Sequence, residues 1–342
     1  MLRVWAVPVA QQLALVLRLG GVSWAVLMGA PRFDLQSHSR HSDGTLTAAE
    51  VVAAAATAGV ELLALTDHDT VSGVSEAIAA GAQHGVRVVT AVELSAVDGR
   101  HEDLHVLGYG FDHRDPDLLT VLEHYRGDRT RRGLAMADAL RELGFSLAEA
   151  ILSAQLRDGG SIGRPHLARA VTEHPDNRER LVAQSLSDPT RFLQTYLLPG
   201  QPAYRGRSTP TVAEAIATVH AAGGVAVWAH PFWDLQDAGE VQAAVERFVA
   251  LGLDGVEAFY VSHDAVQTRF LSALCDEREL LSTGSSDFHG PEHGIFSRFR
   301  AFSLHGCDPH LGPIGDVQRA APGDDPRALG PQLRPGGPAS PH

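Results

Sequence analysis

Nine residues of the types that hold divalent cations stand out: Gln36, His38, Asp43, His68, Glu93, His105, His230, Asp287 and His289. Imidazole, carboxylate and amide donors without thiolates suit Zn, Mn or Fe rather than a cysteine-rich structural zinc site. One tetrahedral ion uses four donors, so nine candidates point to two or three ions. Glu93 is the natural bridge, because a carboxylate has two oxygens to share. Gln36 and His38 lie two residues apart, and on a strand their side chains leave the same face. The two cysteines, Cys275 and Cys307, have no paired spacing, which implies a reduced compartment and a cytoplasmic location.

The elements that must position these residues follow a β/α beat. Thr47 to Glu50 reads as a capping box opening a helix that Gly59 stops. Strands are expected at 61–66, 87–93, 104–109, 225–229, 255–259 and 280–283, with helices at 72–84, 240–251 and 264–279 between some of them, and a second capping box at Thr211 to Glu214. Alternation of this kind implies parallel strands with crossover helices. His38, His68, Glu93, His230 and Asp287 fall at or near the C-terminal ends of strands, where barrels and open α/β sheets carry their sites. His105 lies near the start of its apolar run instead.

Between residues 116 and 204 the beat gives way to helical patterns at 118–143, 146–155, 164–173 and 189–197, which imply an inserted helical subdomain. Gly163-Arg164-Pro165-His166 opens one of these helices with a cation and an imidazole, an arrangement suited to an anion. Arg40 is a further phosphate contact by type. The expected organisation is therefore an apolar N-terminal extension (1–31), a first barrel part (32–115), the insertion (116–204), a second barrel part (205–305) and a mobile tail rich in proline and glycine (306–342). Arg18 and the Gln11-Gln12 pair interrupt the N-terminal apolar run, so no membrane span is expected there.

Composition narrows the partner. The 342 residues carry 41 acidic and 28 basic side chains, a formal net charge of −13. That balance argues against a broad nucleic-acid surface, while a small phosphorylated ligand held by metals and a few arginines remains compatible. His41, His84, His220 and His293 read as structural or surface residues, and His263, just after a strand end, as a neighbour of the site. Nothing in the sequence reports the oligomeric state.

The order Asp34-Leu35-x-x-His38-Ser39, Ser42-Asp43-Gly44, Thr66-Asp67-His68-Asp69, Val92-Glu93, His105-Val-Leu-Gly, Ala229-His230-Pro231 and Ser286-Asp287-Phe288-His289 resembles the PHP (polymerase and histidinol phosphatase) family over about residues 32–305. With the Gly163 to His166 segment, it looks closest to the branch of nucleoside 3',5'-bisphosphate phosphatases and a related 5'-to-3' exoribonuclease. The resemblance implies a distorted (β/α)7 barrel with three metals. The first would be held by residue 36, His38, Glu93 and Asp287, the second by Glu93, His105 and His230, and the third by Asp43, His68 and His289. It implies a metal-dependent phosphoesterase that cleaves small nucleotides or short 5'-phosphorylated oligonucleotides through a metal-activated hydroxide, with no catalytic residue distinct from the metal ligands. Arg164, His166 and Arg40 would bind substrate. The alternatives are a phosphatase of another small monoester, such as histidinol phosphate, and a metal-binding regulatory module with weakened catalysis. This chain departs from the family at Gln36, where the usual opening has a histidine; an amide oxygen is a weaker, neutral donor.

Overall fold

Strands β1 (Phe33–Asp34), β2 (Leu62–Ala64) and β3 (Arg87–Val89) pair in parallel in the order β1-β2-β3. A computed structural model of the chain describes residues 31–317 except 100, 158 and 159. The helices α1 (Ala48–Thr57) and α2 (Val74–His84) connect these short strands. Thr47 and Glu50 form the expected reciprocal cap of α1, satisfying two donors that a helix start leaves open. All three strands of this sheet are buried almost throughout, as parallel strands covered on both faces must be.

The second sheet is mixed. It runs β4 (Ala91–Asp98), β5 (His101–Tyr109), β6 (Val225–Trp228), β7 (Gly255–Tyr260) and β8 (Leu281–Ser285) in that order. The pairs β4 with β5 and β5 with β6 are antiparallel, whereas β6 with β7 and β7 with β8 are parallel. An all-parallel arrangement is thus corrected. The expected strand at 87–93 is two strands around Thr90, and the second continues to Asp98, which pairs with His101. A two-residue connection can join only antiparallel neighbours. The Asp98-Gly99 dipeptide, with Gly99 at φ 58°, is the sequence signal for such a hairpin. The result is an α/β fold with one parallel and one mixed sheet.

Backbone hydrogen bonds tie the sheets together where the site lies. Leu35 N–H donates to Gly284 O at 3.1 Å and His38 N–H to Phe288 O at 2.8 Å. Parallel bridges link Ser37 to Phe288 and His68 to Glu93. Although β1 ends at Asp34, the Ser37 bridge continues strand geometry past it, so residues 36 and 38 share one face beside 287 and 289.

From Pro116 to Tyr196 the described residues hold helices and no strand: α3 (Pro116–Glu142), α4 (Glu149–Arg157), α5 (Arg164–Thr172), α6 (Arg178–Ala183) and α7 (Pro189–Tyr196). These helices bury a core of their own, built around Phe145, Phe192, Leu140, Leu167 and Leu197, while α8 (Val212–Ala221), α9 (Pro231–Asp234), α10 (Ala238–Ala250) and α11 (Ala265–Arg278) pack on the main core. Gly133 of α3 lets the chain approach Ile162: a Cβ there would clash with the Ile162 carbonyl oxygen. Gly133→Ala is expected to cost about 1–3 kcal/mol, the usual scale of overpacking. An unchanged melting temperature would refute this.

The tail expectation is corrected in part. Residues 312–314 form a 3₁₀ turn, Ile314 and Val317 are buried in the main core, and Arg87 Nη1 donates to Gly315 O at 2.8 Å. Two apolar side chains and a backbone acceptor anchor this stretch, despite its proline and glycine content. The N-terminal extension, residues 1–30, and the tail beyond 317 lie outside the described residues. Among the described residues no helix is long and apolar enough to cross a membrane.

Candidate metal centre

The loop after β1 is fixed by a buried carboxylate from the end of β2. Asp67 accepts Ser39 N–H at 2.7 Å, Ser39 Oγ–H at 2.6 Å and Ser42 Oγ–H at 2.6 Å. Ser42 spends its single proton on Asp67, so its contact with His38 Nδ1 at 3.3 Å makes the imidazole the donor there. That places a proton on Nδ1 and leaves Nε2 as the nitrogen that can offer a lone pair once a cation replaces its proton. Asp34 plays the matching part at β8, accepting Ser286 N–H, Ser286 Oγ–H and Arg300 N–H.

His38 Nε2 then faces Glu93 Oε2 at 3.0 Å and Asp287 Oδ1 at 3.1 Å. The other Glu93 oxygen, Oε1, faces His105 Nδ1 at 2.7 Å and His230 Nε2 at 3.5 Å, and those two nitrogens are 3.2 Å apart. The antiparallel register explains the first of these contacts: Ser95 pairs with His105 and Glu93 with Leu107, which puts Glu93 and His105 on one face. His230 adopts a left-handed backbone at φ 31° as the chain turns from β6 into α9. A third group gathers around Asp43, whose Oδ2 is 3.5 Å from His68 Nε2 and whose Oδ1 is 3.6 Å from His289 Nε2. Potential donor atoms of His38, Asp43, His68 and His289 all lie within 4.8 Å of one another, as do those of His68, Glu93 and His105, and those of His38, Glu93 and Asp287.

The structure therefore brings together all eight histidine and carboxylate candidates. Gln36 is fully buried beside Ser285, with its Oε1 3.3 Å from the Ser285 hydroxyl.

This donor set fits metal ions. Asp43 Oδ1, His68 Nδ1 and Gln36 Nε2 are buried without a hydrogen-bond partner, whereas buried polar groups are otherwise almost always bonded, and His38 Nε2, both Glu93 oxygens and Asp287 Oδ1 crowd against other ligand candidates. The electrostatics agree. Burial opposes the charged forms throughout the cluster. Against it, the Asp287 and Glu93 carboxylates hold His38 well above the ordinary imidazole range, while His68, His289 and His38 hold Asp43 well below the carboxylate range. Burial and the Arg129 cation push His68 well down. Three buried carboxylates that remain ionised call for compensating cations.

A cavity opens beside the centre, lined by Asp43, His68, Asp103, His105, Arg129, Arg132, Arg164 and apolar residues of the helical segment that include Met136, Ile162 and Leu193. Arg164 pairs with Asp103 Oδ2, and Arg132 Nη2 lies 3.8 Å from Asp103 Oδ1. Burial works against an ionised Asp103, but the two arginines outweigh it and hold the carboxyl down to about 2. Arg129 Nη1 donates to Ser95 Oγ at 2.8 Å and reaches Asp69 at 3.4 Å.

Of the expected substrate contacts, only Arg164 lines this cavity. His166 is buried, its Nδ1 accepts Gly163 N–H at 3.1 Å, and burial pushes it down to about 4; it caps its helix as a neutral ring. Arg40 is exposed and donates to Thr45 O at 2.8 Å. His263 is buried beyond Tyr260, its ring centroid 5.4 Å from the tyrosine ring, and Tyr260 in turn donates to Asp287 Oδ2 at 2.8 Å. Sequence reading missed Arg129 and Arg132. The local signal for them was an arginine-rich stretch, Arg126 to Arg132, but it sits in a long surface-type helix whose charges read as solvated.

Comparison with known proteins supplies the family. The PHP domain model matches residues 34–183. The chain is 33% identical over 263 residues to a 3',5'-nucleoside bisphosphate phosphatase of Chromobacterium violaceum, covering 76% of this chain and 88% of the relative. It is 31% identical over 261 residues to a 5'-3' exoribonuclease of Haemophilus influenzae, covering 76% and 90%. A solved structure from Bifidobacterium adolescentis, described as a metal-dependent phosphoesterase, superposes with a TM-score of 0.68 at 26% identity, covering 83% of this chain and 94% of that one. Identity sustained over three quarters of the sequence, together with a buried cluster of imidazoles and carboxylates suited to metal ions, places the chain in the PHP domain family as a metal-dependent hydrolase of phosphate esters.

Proposed function

We propose that the protein hydrolyses phosphate esters of small nucleotides, either nucleoside 3',5'-bisphosphates or 5'-phosphorylated oligonucleotides. The observation that carries this reading is the cavity that joins the Asp43, His68 and His105 edge of the centre to Arg129, Arg132 and Arg164. A site built for one phosphate needs no group of arginines on the same cavity as its metal ligands. The names of the two relatives, a bisphosphate phosphatase and an exoribonuclease, accord with a substrate of more than one phosphate.

Gln36, His38, Glu93 and Asp287 would hold a first metal ion, Glu93, His105 and His230 a second, and Asp43, His68 and His289 a third. Mn, Zn and Fe all suit these donors. Such ions, when bound, polarise phosphoryl oxygens and lower the pKa of a water toward neutrality. The chain's own residues do the rest. Glu93 keeps two ligand groups at a fixed separation through its two oxygens. Arg132 and Arg164 lose part of their bond to Asp103 when a second phosphate enters, and a guanidinium fork matches a phosphate bidentately. Met136, Ile162 and Leu193 form a water-poor wall that strengthens those contacts. Burial, with the Arg129 cation nearby, disfavours a charged His68, so that it offers a lone pair instead of a proton.

We read the two sheets as one distorted seven-strand barrel, counting β3 and β4 as a single strand broken at Thr90, with residues 116–204 as its insertion. The Leu35 to Gly284 bond and the His68 to Glu93 bridge support this.

Phosphate release from a panel of nucleoside bisphosphates, nucleoside monophosphates, 5'-phosphorylated oligonucleotides and histidinol phosphate, with Mn or Zn present, tests the proposal. Turnover of the last substrate alone would sink it. Arg164→Met and Arg132→Met are each expected to raise KM for a bisphosphate by roughly 10-fold or more, the worth of one charge-assisted hydrogen bond. The kcat for a monophosphate should stay near its starting value. Equal KM effects on both substrates would remove these arginines from the second-phosphate site.

A further inference from the structure

Glu257, fully buried in β7, belongs to none of the three ligand groups, yet two donors converge on it. Its Oε2 accepts His230 N–H at 2.9 Å, and its Oε1 accepts Ser285 Oγ–H at 2.6 Å. The same Ser285 oxygen lies 3.3 Å from Gln36 Oε1. A hydroxyl has one proton, and the short bond to Glu257 takes it, so Gln36 Oε1 meets a serine lone pair. At the other end of the amide, Gln36 Nε2 is buried with no partner. Both faults have one remedy. The two ends of an amide differ little in shape and are assigned by their hydrogen bonds. Turning the Gln36 amide over makes Nε2–H the donor to Ser285 Oγ and puts Oε1 where the unpartnered nitrogen stood. Residues 36, 38 and 287 share the face that the Ser37 to Phe288 bridge defines, so the amide stands on the same face as the ligand candidates His38 and Asp287.

The neighbouring ligand is held by the same device. His38 Nδ1–H meets Ser42 Oγ, whose proton goes to Asp67. In both cases a carboxylate takes a serine proton, the serine takes an N–H from the ligand, and the ligand's remaining lone pair is left for a cation. A protonated Glu257 could reverse the order of donors, but Gln36 Nε2 would stay buried and unbonded, and the serine would donate across 3.3 Å, long for a bond between two oxygens.

Resting on the metal-centre reading above, we infer that Ser285 and Glu257 are positioning residues that present the Gln36 amide oxygen as a ligand to the first metal ion, and that Glu257 also fixes the backbone of His230 at the second. Gln36 is then a working oxygen donor in place of a histidine, not a lost ligand.

The test is Mn²⁺ titration of the full-length protein, stripped with chelator, followed by calorimetry and by elemental analysis after gel filtration. Ser285→Ala and Glu257→Gln should each weaken one class of Mn²⁺ site by about 10- to 100-fold, the usual effect of removing a partner of a metal ligand. Ser285→Thr, which keeps the hydroxyl, should restore the affinity, an outcome that a packing role for Ser285 would not give. Gln36→Leu should abolish that site. Titrations of Ser285→Ala and Glu257→Gln that superpose on the unaltered protein would overturn the inference while leaving the metal centre standing, and so would full metal uptake by Gln36→Leu. If the unaltered protein takes up neither Mn²⁺ nor Zn²⁺, the metal-centre reading fails and the inference with it. Should Ser285→Ala fail to fold, Glu257→Gln, which has the same shape as the residue it replaces, carries the test.

Discussion

Glu93→Gln is expected to lower phosphate release by about 10²- to 10³-fold or more, the scale of removing one electrostatic stabiliser from a water-poor site, and to reduce bound metal in the same preparation. Glu93 faces two ligand groups at once, one through each of its carboxylate oxygens. Its Oε2 is 3.0 Å from His38 Nε2 and its Oε1 is 2.7 Å from His105 Nδ1. Glutamine has almost the same volume, so the strand and its packing should survive. Whichever end carries the new NH₂ will point a donor at a position meant for a cation, and the loss of an anion weakens both neighbouring sites. Metal content by elemental analysis and the rate of phosphate release decide the matter together. A variant that keeps full metal content and rate would show that Glu93 bridges nothing.

The second large effect concerns stability. Asp67→Ala should destabilise the protein by about 3–5 kcal/mol, because it strands three buried donors on Ser39 and Ser42, each worth about 1–3 kcal/mol when unpaired, less whatever local relaxation recovers. Since Asp67 also sets the Ser42 hydroxyl that orients His38, metal affinity should fall in parallel. Asp67→Asn keeps one acceptor oxygen and should fall between. Urea unfolding monitored by circular dichroism measures the first effect and calorimetry the second. An unchanged unfolding midpoint in Asp67→Ala would contradict the arrangement described for this loop.

Both expectations depend on residues of different visibility. Glu93 could be singled out in the sequence, since an acidic residue in a Val/Leu-rich run demands a partner. Asp67 was visible only as part of Thr66-Asp67-His68-Asp69, where His68 drew the attention, and its three hydrogen bonds run to residues 25 and 28 positions away. Likewise Ser285 and Glu257 are unremarkable in sequence. A serine and a glutamate acquire meaning here only through the lone glutamine they face.

By itself the sequence determined the element types and the ligand candidates. Capping boxes at Thr47 and Thr211 and runs of buried apolar residues are local, short-range properties, and a histidine or carboxylate is chemically conspicuous wherever it lies. Only the tertiary structure decided how β4, β5 and β6 pair, because strand direction depends on a tight turn whose Asp98-Gly99 signal was masked by an expected strand end at Glu93. Only it decided that Arg129 and Arg132 face the centre whereas His166 and Arg40 do not, because one face of a long helix is chosen by packing against Ile162 and Asp103, not by local propensity. And only it showed which nitrogen of His38 faces the centre: Nδ1 is held by Ser42 and, through it, by Asp67, across a distance in sequence that no local pattern spans.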